Sequence, residues 1–144
     1  MKLSHIIKTD HQKLLRRLNQ FAGGPVDRES YAQLKRCLNK MSAGHYAEEL
    51  TIYELTKDIA TIDREYYTGY HAMLDNLYDS IRNGGHLSDA LVHELNVLHA
   101  LTIIHYNDEE EYILPVVEQQ LEPAKSRKMA AEYQDSVSTL CQQC

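Results

Sequence analysis

Apolar residues recur at intervals of three and four positions over most of the chain, as on one face of an α-helix. The stretches with this spacing are interrupted by two strong breakers, Gly23-Gly24-Pro25 and Gly84-Gly85. No stretch shows the alternation of apolar and polar residues that marks a β-strand. The pattern therefore predicts four helices: one over residues 4–21, one from Asp27 or Ser30 to about Lys57, one from Thr61 to Gly84-Gly85, and one from Ser88 to the region of Pro115.

The sequence of short helix, Gly-Gly and long helix occurs twice. Because short connections make neighbouring helices antiparallel, we predict an all-α fold, an up-down-up-down four-helix bundle, over residues 1–121. Glu122-Pro123 then breaks the helical pattern. Residues 122–144 are predicted to form a C-terminal extension with a short helix that packs on the bundle. Its apolar side would carry four residues at intervals of four: Met129, Tyr133, Val137 and Cys141.

The composition favours a single cytoplasmic domain. The chain has 144 residues, enough to bury a core without disulfides, and its 15 Lys and Arg against 21 Asp and Glu give a net charge of −6. An acidic balance with scattered basic residues argues against a nucleic-acid partner. The sequence contains no run of about 18 apolar residues, so no membrane span is predicted, and the N-terminus lacks an apolar run of signal-peptide length. Three cysteines, an odd number, favour a reducing compartment. A monomer and a homodimer are equally compatible with the sequence.

Imidazoles and carboxylates repeat along the chain at a constant separation of 60 positions. The motif His-Tyr-x-x-Glu occurs twice as a result. An internal repeat that falls on these residue types indicates a site with two equivalent halves. The repeated pairs are His11 and His71, His45 and His105, and Glu49 and Glu109.

Both His-x-x-x-Glu motifs lie within apolar stripes. Residues four apart lie on the same face of a helix, so His45 and Glu49 should point together, as should His105 and Glu109. Burying an ionised glutamate is costly unless it is paired or bound to a metal, and the stripes carry no compensating Lys or Arg. We therefore predict a metal centre. Its predicted ligands are His11, His45, Glu49, His71, His105 and Glu109.

The ligand count suits two ions rather than one. Each ion would take one imidazole from a short helix and one from a long helix, while the two glutamates and a hydroxide bridge both ions. Imidazole and carboxylate together favour iron, with zinc or manganese as alternatives. An open position on a redox metal in a dry pocket is suited to dioxygen, nitric oxide or peroxide.

This ordered set of residues resembles the hemerythrin-like family, also called the HHE cation-binding domain. The resemblance covers residues 4–120 and lies in Asp10-His11, His45 to Glu49, His71, and the segment from His105 to Pro115. It implies a non-haem di-iron centre, with two iron ions bridged by hydroxide or oxide. Members of that family include oxygen carriers, oxygen, redox and iron sensors, and proteins that consume peroxide or take part in nitric-oxide stress and iron–sulfur cluster repair.

The third helix departs from the oxygen carriers of that family. Those proteins have a second histidine four residues from the first, where this chain has Tyr67 and Asp75 around His71. The departure weighs against reversible oxygen carriage. It also leaves room for Tyr67 as a metal ligand.

The sequence thus predicts a non-haem di-iron protein that binds or senses a small oxidant. The alternatives are a di-iron protein of oxidative or nitrosative stress defence, with peroxide-consuming or iron–sulfur repair activity, and a metal-free interaction bundle. The sequence does not decide whether the protein is an enzyme; catalase-like and oxidase activities are both compatible. A ferritin-like site is disfavoured, because no Glu-x-x-His occurs in the chain.

The remaining chemistry-bearing residues are given structural roles. Tyr46 and Tyr106 are predicted to pack, and Cys37 is predicted to lie in the core. The pair Cys141 and Cys144 forms a Cys-x-x-Cys motif, but it does not begin a helix after a strand and is a weak redox signal. The acidic residues next to the second motif are predicted to form a solvated face: Asp108, Glu110 and Glu111.

Overall fold

The computed structural model describes residues 1–141 and residue 144, and the described part is helical without any strand. The all-α bundle is therefore confirmed. In that part of the chain, no helix combines the length and the apolar character needed to cross a membrane. The five principal helices are α1 Leu3–Ala22, α2 Arg28–Glu48, α3 Arg64–Gly84, α4 Leu91–Asp108 and α5 Pro123–Leu140.

The two long helices do not end where their regular α-geometry ends. After α2 the chain makes a π-helical turn, Glu49–Tyr53, and a short α-segment, Glu54–Thr56. After α4 it makes a second π-helical turn, Glu109–Ile113, and a further α-segment, Leu114–Gln120. The helix therefore passes through Pro115 without ending there.

Each short helix lies between the two long ones. α1 packs against α2 and α4, and α3 also packs against α2 and α4. This neighbour relation is the one that a four-helix bundle requires. The up-down-up-down direction of successive helices remains the prediction made from the short connections.

The C-terminal helix is longer than the short helix predicted, and it packs against α2 and α1. Ser126 connects the first turns of this helix to the start of α1, because the buried Ser126 hydroxyl accepts a hydrogen bond from the backbone N–H of Leu3 at 2.9 Å. Tyr133 is its largest buried side chain. The structure pairs the sulfurs of Cys141 and Cys144, and the two glutamines between them lie outside the described residues.

The apolar core consists of two clusters separated along the bundle. One cluster holds Leu34, Leu74 and Leu98, and the other holds Ile52 and Ile113. Each of the four bundle helices, α1 to α4, carries one of the repeated histidines at a position between the two clusters. Polar side chains are therefore enclosed by apolar layers on both sides.

Two of the five principal helices begin at a side-chain cap, and the structure corrects two of the predicted helix starts. Asp27 caps α2 by accepting from the backbone N–H of Ser30 at 2.7 Å, as predicted. Asp63, rather than Thr61, caps α3, accepting from Tyr66 N–H at 3.2 Å. The fourth helix begins at Leu91, after a turn that contains the predicted start at Ser88.

Tyr31 ties α2 to the end of α3, and we expect its hydroxyl to be a measurable source of stability. The hydroxyl lies 2.9 Å from the carbonyl of Arg82 and accepts from the N–H of Gly85 at 3.1 Å. Gly85 has a φ of 82°, which favours glycine. Tyr31→Phe should lower the free energy of unfolding by about 1–3 kcal/mol, because the Arg82 carbonyl and the Gly85 N–H would lose this hydrogen-bond partner. Urea unfolding measures the loss. Tyr46→Phe, at an exposed tyrosine, is the control; equal stability of the two variants would contradict the assignment.

Candidate metal centre

Four buried side chains from three helices converge in the middle of the bundle. Glu48, His71, His105 and Glu109 place one ligand atom each within 4.8 Å of one another. None of the four is more than 2% exposed. This buried His/Glu cluster could bind a metal ion.

The two carboxylates each face two sides. His71 Nε2 lies 3.3 Å from Glu48 Oε1 and 3.2 Å from Glu109 Oε1, and His105 Nε2 also contacts Glu109 Oε1. On the opposite side, His11 Nε2 lies 2.8 Å from Glu48 Oε2 and 3.8 Å from Glu109 Oε2. Both Oε1 atoms therefore face His71, and both Oε2 atoms face His11. We call these two sides the His71 pole and the His11 pole.

The carboxylate that α2 contributes is Glu48, whereas the sequence pattern predicted Glu49. Leu34, Met41 and Glu48 follow one another at seven-residue spacing and are all fully buried, so they form the centre of the core-facing stripe of α2. Glu49 is turned away by about 100° from this line, and its side chain is 29% exposed. The prediction that Glu49 faces the core was therefore wrong. The seven-residue spacing from Leu34 and Met41 is the sequence feature that could have identified Glu48 as the core-facing glutamate.

Glu49 nevertheless contacts the centre from outside. Its Oε1 lies 3.4 Å from His71 Nδ1, and Glu110 Oε2 lies 3.2 Å from His11 Nδ1. Each pole thus has an outer carboxylate that orients its histidine, an arrangement common around metal-bound imidazoles. Glu110 was predicted to belong to a solvated face, and this contact corrects that prediction.

His45 lies beside the cluster, and its nitrogens do not point at the two central glutamates. Its ring stacks on His71 with centroids 4.0 Å apart. Its Nδ1 lies 3.3 Å from Asp75 Oδ1, and its Nε2 lies 3.3 Å from the hydroxyl of Tyr78. The structure therefore shows His45 supporting His71; its prediction as a ligand stays a prediction.

The two motif tyrosines behave differently from one another. Tyr106 is buried and stacks on His11, with centroids 3.7 Å apart and the planes within 2°, so its packing role is confirmed. Tyr46 is 56% exposed, and its predicted packing role was wrong. Cys37 is buried and free, as predicted.

A third tyrosine, which the sequence pattern did not reveal, reaches the cluster from the first π-helical turn. The Tyr53 hydroxyl lies 2.9 Å from Glu109 Oε1 and 3.0 Å from His71 Nε2. Tyr67, the tyrosine predicted as a possible ligand, has its ring 6.5 Å from that of His105. π-turns often occur at functional sites because they change which side chains face inward.

The donor set fits a cation because buried polar atoms lack partners. Glu48 Oε1, Glu109 Oε2 and both nitrogens of His105 are buried without a hydrogen bond of adequate geometry. Such atoms are costly to bury, and a cation would satisfy them. Every ion pair that the described residues offer these two glutamates is with a histidine.

The pKa values of the central groups depend on one another's charges. Burial lowers the pKa of His11, but hydrogen bonds to Glu110 and Glu48 outweigh burial and raise that pKa to about 10. Burial also lowers the pKa of His71, and Glu109 and Glu48 reverse the shift to well above the ordinary value. Burial raises the pKa of Glu109, but the imidazoles, His105 first, bring it well below the ordinary value. A cation would have to displace protons from His11 and His71.

Comparison with known proteins gives no match: no family model fits the chain, and neither a curated protein nor a solved structure matches it. The geometry of the centre must therefore support any functional conclusion.

The metal-free protein should be most stable between about pH 4.5 and pH 6.5, the ordinary pKa values of Glu109 and His11. The raised His11 pKa gives stability that is complete below about pH 6.5 and is lost as the pH rises towards about 10. The lowered Glu109 pKa gives stability that is complete above pH 4.5 and is lost in acid.

Thermal unfolding in the presence of a chelator, followed by circular dichroism across this range, measures the effect. His11→Gln should flatten the alkaline decline, while His93→Gln, at an exposed position on α4, should not. A wild-type unfolding temperature that is constant from pH 6.5 to pH 10 would contradict the raised pKa of His11.

Proposed function

We propose that this chain is a hemerythrin-like, non-haem di-iron protein that binds or senses a small oxidant such as dioxygen, nitric oxide or peroxide. The observation that supports it best is the orientation of Glu48 and Glu109, each of which directs one oxygen towards each pole. Two carboxylates that span the same pair of positions are suited to bridging two cations.

The proposal assigns separate ligands to the two poles. His71 and His105 would hold the ion at the His71 pole, and His11 would hold the ion at the His11 pole. Glu48 and Glu109 would be shared. His45 and Glu49, the other two predicted ligands, would support His71. His45 would do so by stacking on the His71 ring, and Glu49 by its contact with His71 Nδ1.

Iron is proposed because imidazole and carboxylate donors suit it, although zinc and manganese accept the same donors. Bound iron would supply redox chemistry towards dioxygen, nitric oxide or peroxide. The chain's contribution is to exclude water, since apolar clusters enclose the centre on both sides. Such surroundings favour a small uncharged reactant over a charged phosphoester. A role in oxidative or nitrosative stress defence would use the same centre.

A metal-free interaction bundle is the second candidate, and one observation favours it. The pKa values of His11 and His71 are raised, so both imidazoles are protonated near neutral pH and can balance the charge of Glu48 and Glu109. The centre would then be a buried ion-pair network. The two functions differ in whether the purified chain takes up metal.

The decisive comparison is between Glu48→Gln and Glu49→Gln. Both changes replace a carboxylate by an isosteric amide at adjacent positions, but only Glu48 lies within the buried cluster. Anaerobic loading with ferrous iron, followed by metal analysis, should give two ions per wild-type chain. We expect Glu48→Gln to lose most of this iron and Glu49→Gln to retain it.

Spectra recorded after addition of oxygen, peroxide or nitric oxide then separate the possible activities. A stable reversible adduct with oxygen indicates carriage or sensing, whereas gas evolution from peroxide indicates catalase-like turnover. A wild-type chain that folds fully and takes up no iron, zinc or manganese would refute the di-iron proposal and favour the interaction bundle. Equal iron loss from both variants would refute the assignment of Glu48.

A further inference from the structure

The two halves of the bundle correspond through two different sequence separations. Equivalent residues of α1 and α3 are 60 positions apart, as His11 and His71 show. Equivalent residues of α2 and α4 are 61 positions apart: Glu48 corresponds to Glu109 in the centre, and the outer carboxylates Glu49 and Glu110 also correspond. The ring stacks agree with this relation, since His45 stacks on His71 as Tyr106 stacks on His11.

Under this correspondence the counterpart of His105 is Gly44. His105 fills the space beside His71 at the His71 pole, with the two rings 4.6 Å apart. At the His11 pole the equivalent position has no side chain. A cavity of about 10 Å³ is present there, next to His11 and Glu48 and lined also by Met41 and Gly44.

The fifth helix forms one wall of this cavity. Tyr133 lines it and is only 2% exposed. A Cβ atom added to Gly44 would lie 3.8 Å from the hydroxyl oxygen of Tyr133, which is ordinary van der Waals contact. The C-terminal helix therefore takes part in shaping the centre, and a methyl group at position 44 fits without displacing its neighbours.

We propose that the cavity at Gly44 is the position in which the small ligand is held, and that Gly44 and Tyr133 limit its size. This inference rests on the proposed function. His105 fills the equivalent position at the other pole, so the two poles are unequal and the His11 pole has space beside its histidine. A cavity of about 10 Å³ is close to the minimum that holds one water-sized molecule. The space therefore admits at most one very small molecule, and a diatomic ligand is the chemical class we assign to it.

Gly44→Ala tests the proposal, with Gly69→Ala as the matched control. Both glycines lie within helices, so both changes bring the same gain in helix propensity, but nothing lies within 4 Å of a Cβ at Gly69. Each protein is loaded with ferrous iron without oxygen, its iron content is measured, and nitric oxide is titrated while the absorption spectrum is recorded. We expect Gly44→Ala to keep its iron and to bind nitric oxide roughly tenfold or more weakly, because the new methyl group occupies part of the space proposed for the ligand. Gly69→Ala should bind as wild type does.

Tyr133→Phe provides a second variant that removes one wall atom and adds none. Nitric oxide should dissociate from it several-fold faster than from wild type, while Tyr46→Phe, at an exposed tyrosine, should leave the rate unchanged. Wild-type nitric-oxide affinity in an iron-loaded Gly44→Ala protein would overturn the cavity assignment and leave the di-iron proposal intact. If Gly44→Ala does not fold or load iron, an unchanged dissociation rate in Tyr133→Phe overturns the assignment. Failure of wild type to load iron refutes the proposed function instead.

Discussion

The burial of two carboxylates at one level of the bundle is the constraint on which the rest of the structure depends. Glu48 and Glu109 are almost completely buried, and apolar clusters above and below deny them water. Ionised groups in such a place need opposite charge within a few ångströms. Among the described residues this charge comes from imidazoles, and the raised pKa values of His11 and His71 keep those two rings protonated. A cation bound at this centre would therefore have to replace the protons that balance the two carboxylates.

The helical geometry is adapted to bring these groups together. If each helix continued as a regular α-helix past its glutamate, the positions that face the core would follow the same spacing as in the preceding turns. Instead, a π-helical turn follows Glu48 and another begins at Glu109. The first turn carries Tyr53 inward, where its hydroxyl reaches both Glu109 and His71. Such turns are tolerated where tertiary contacts compensate for the weaker backbone hydrogen bonds. Here the compensating contacts are those of the centre itself.

The sequence was sufficient to predict the helical bundle and the burial of several residues of the candidate centre, but not the register of α2. His11, His71, His105 and Glu109 were correctly predicted to face the core, because each lies within an apolar stripe at helical spacing. Glu49 was misplaced because the motif His-Tyr-x-x-Glu repeats at 60 positions while α2 and α4 correspond at 61. A difference of one residue turns a side chain by about 100° around the helix. The spacing of Leu34 and Met41 identifies Glu48 as the core-facing glutamate. No feature of the local sequence predicts a π-helical turn, so the contact of Tyr53 with the centre could not be predicted.

This mismatch between the two separations has a chemical consequence. The same motif is used twice in different registers, so identical residues occupy non-equivalent positions. His105 lies inside the centre, whereas His45 stacks against it, and the place equivalent to His105 falls to Gly44. Tyr106 occupies the place equivalent to His45 and covers His11. A bundle built from two similar halves thereby obtains two unlike poles: one is crowded by imidazoles, and the other is left open beneath the C-terminal helix. In the proposed di-iron centre, such unlike poles would let the crowded pole hold its ion with more imidazoles while the His11 pole keeps space for a small molecule.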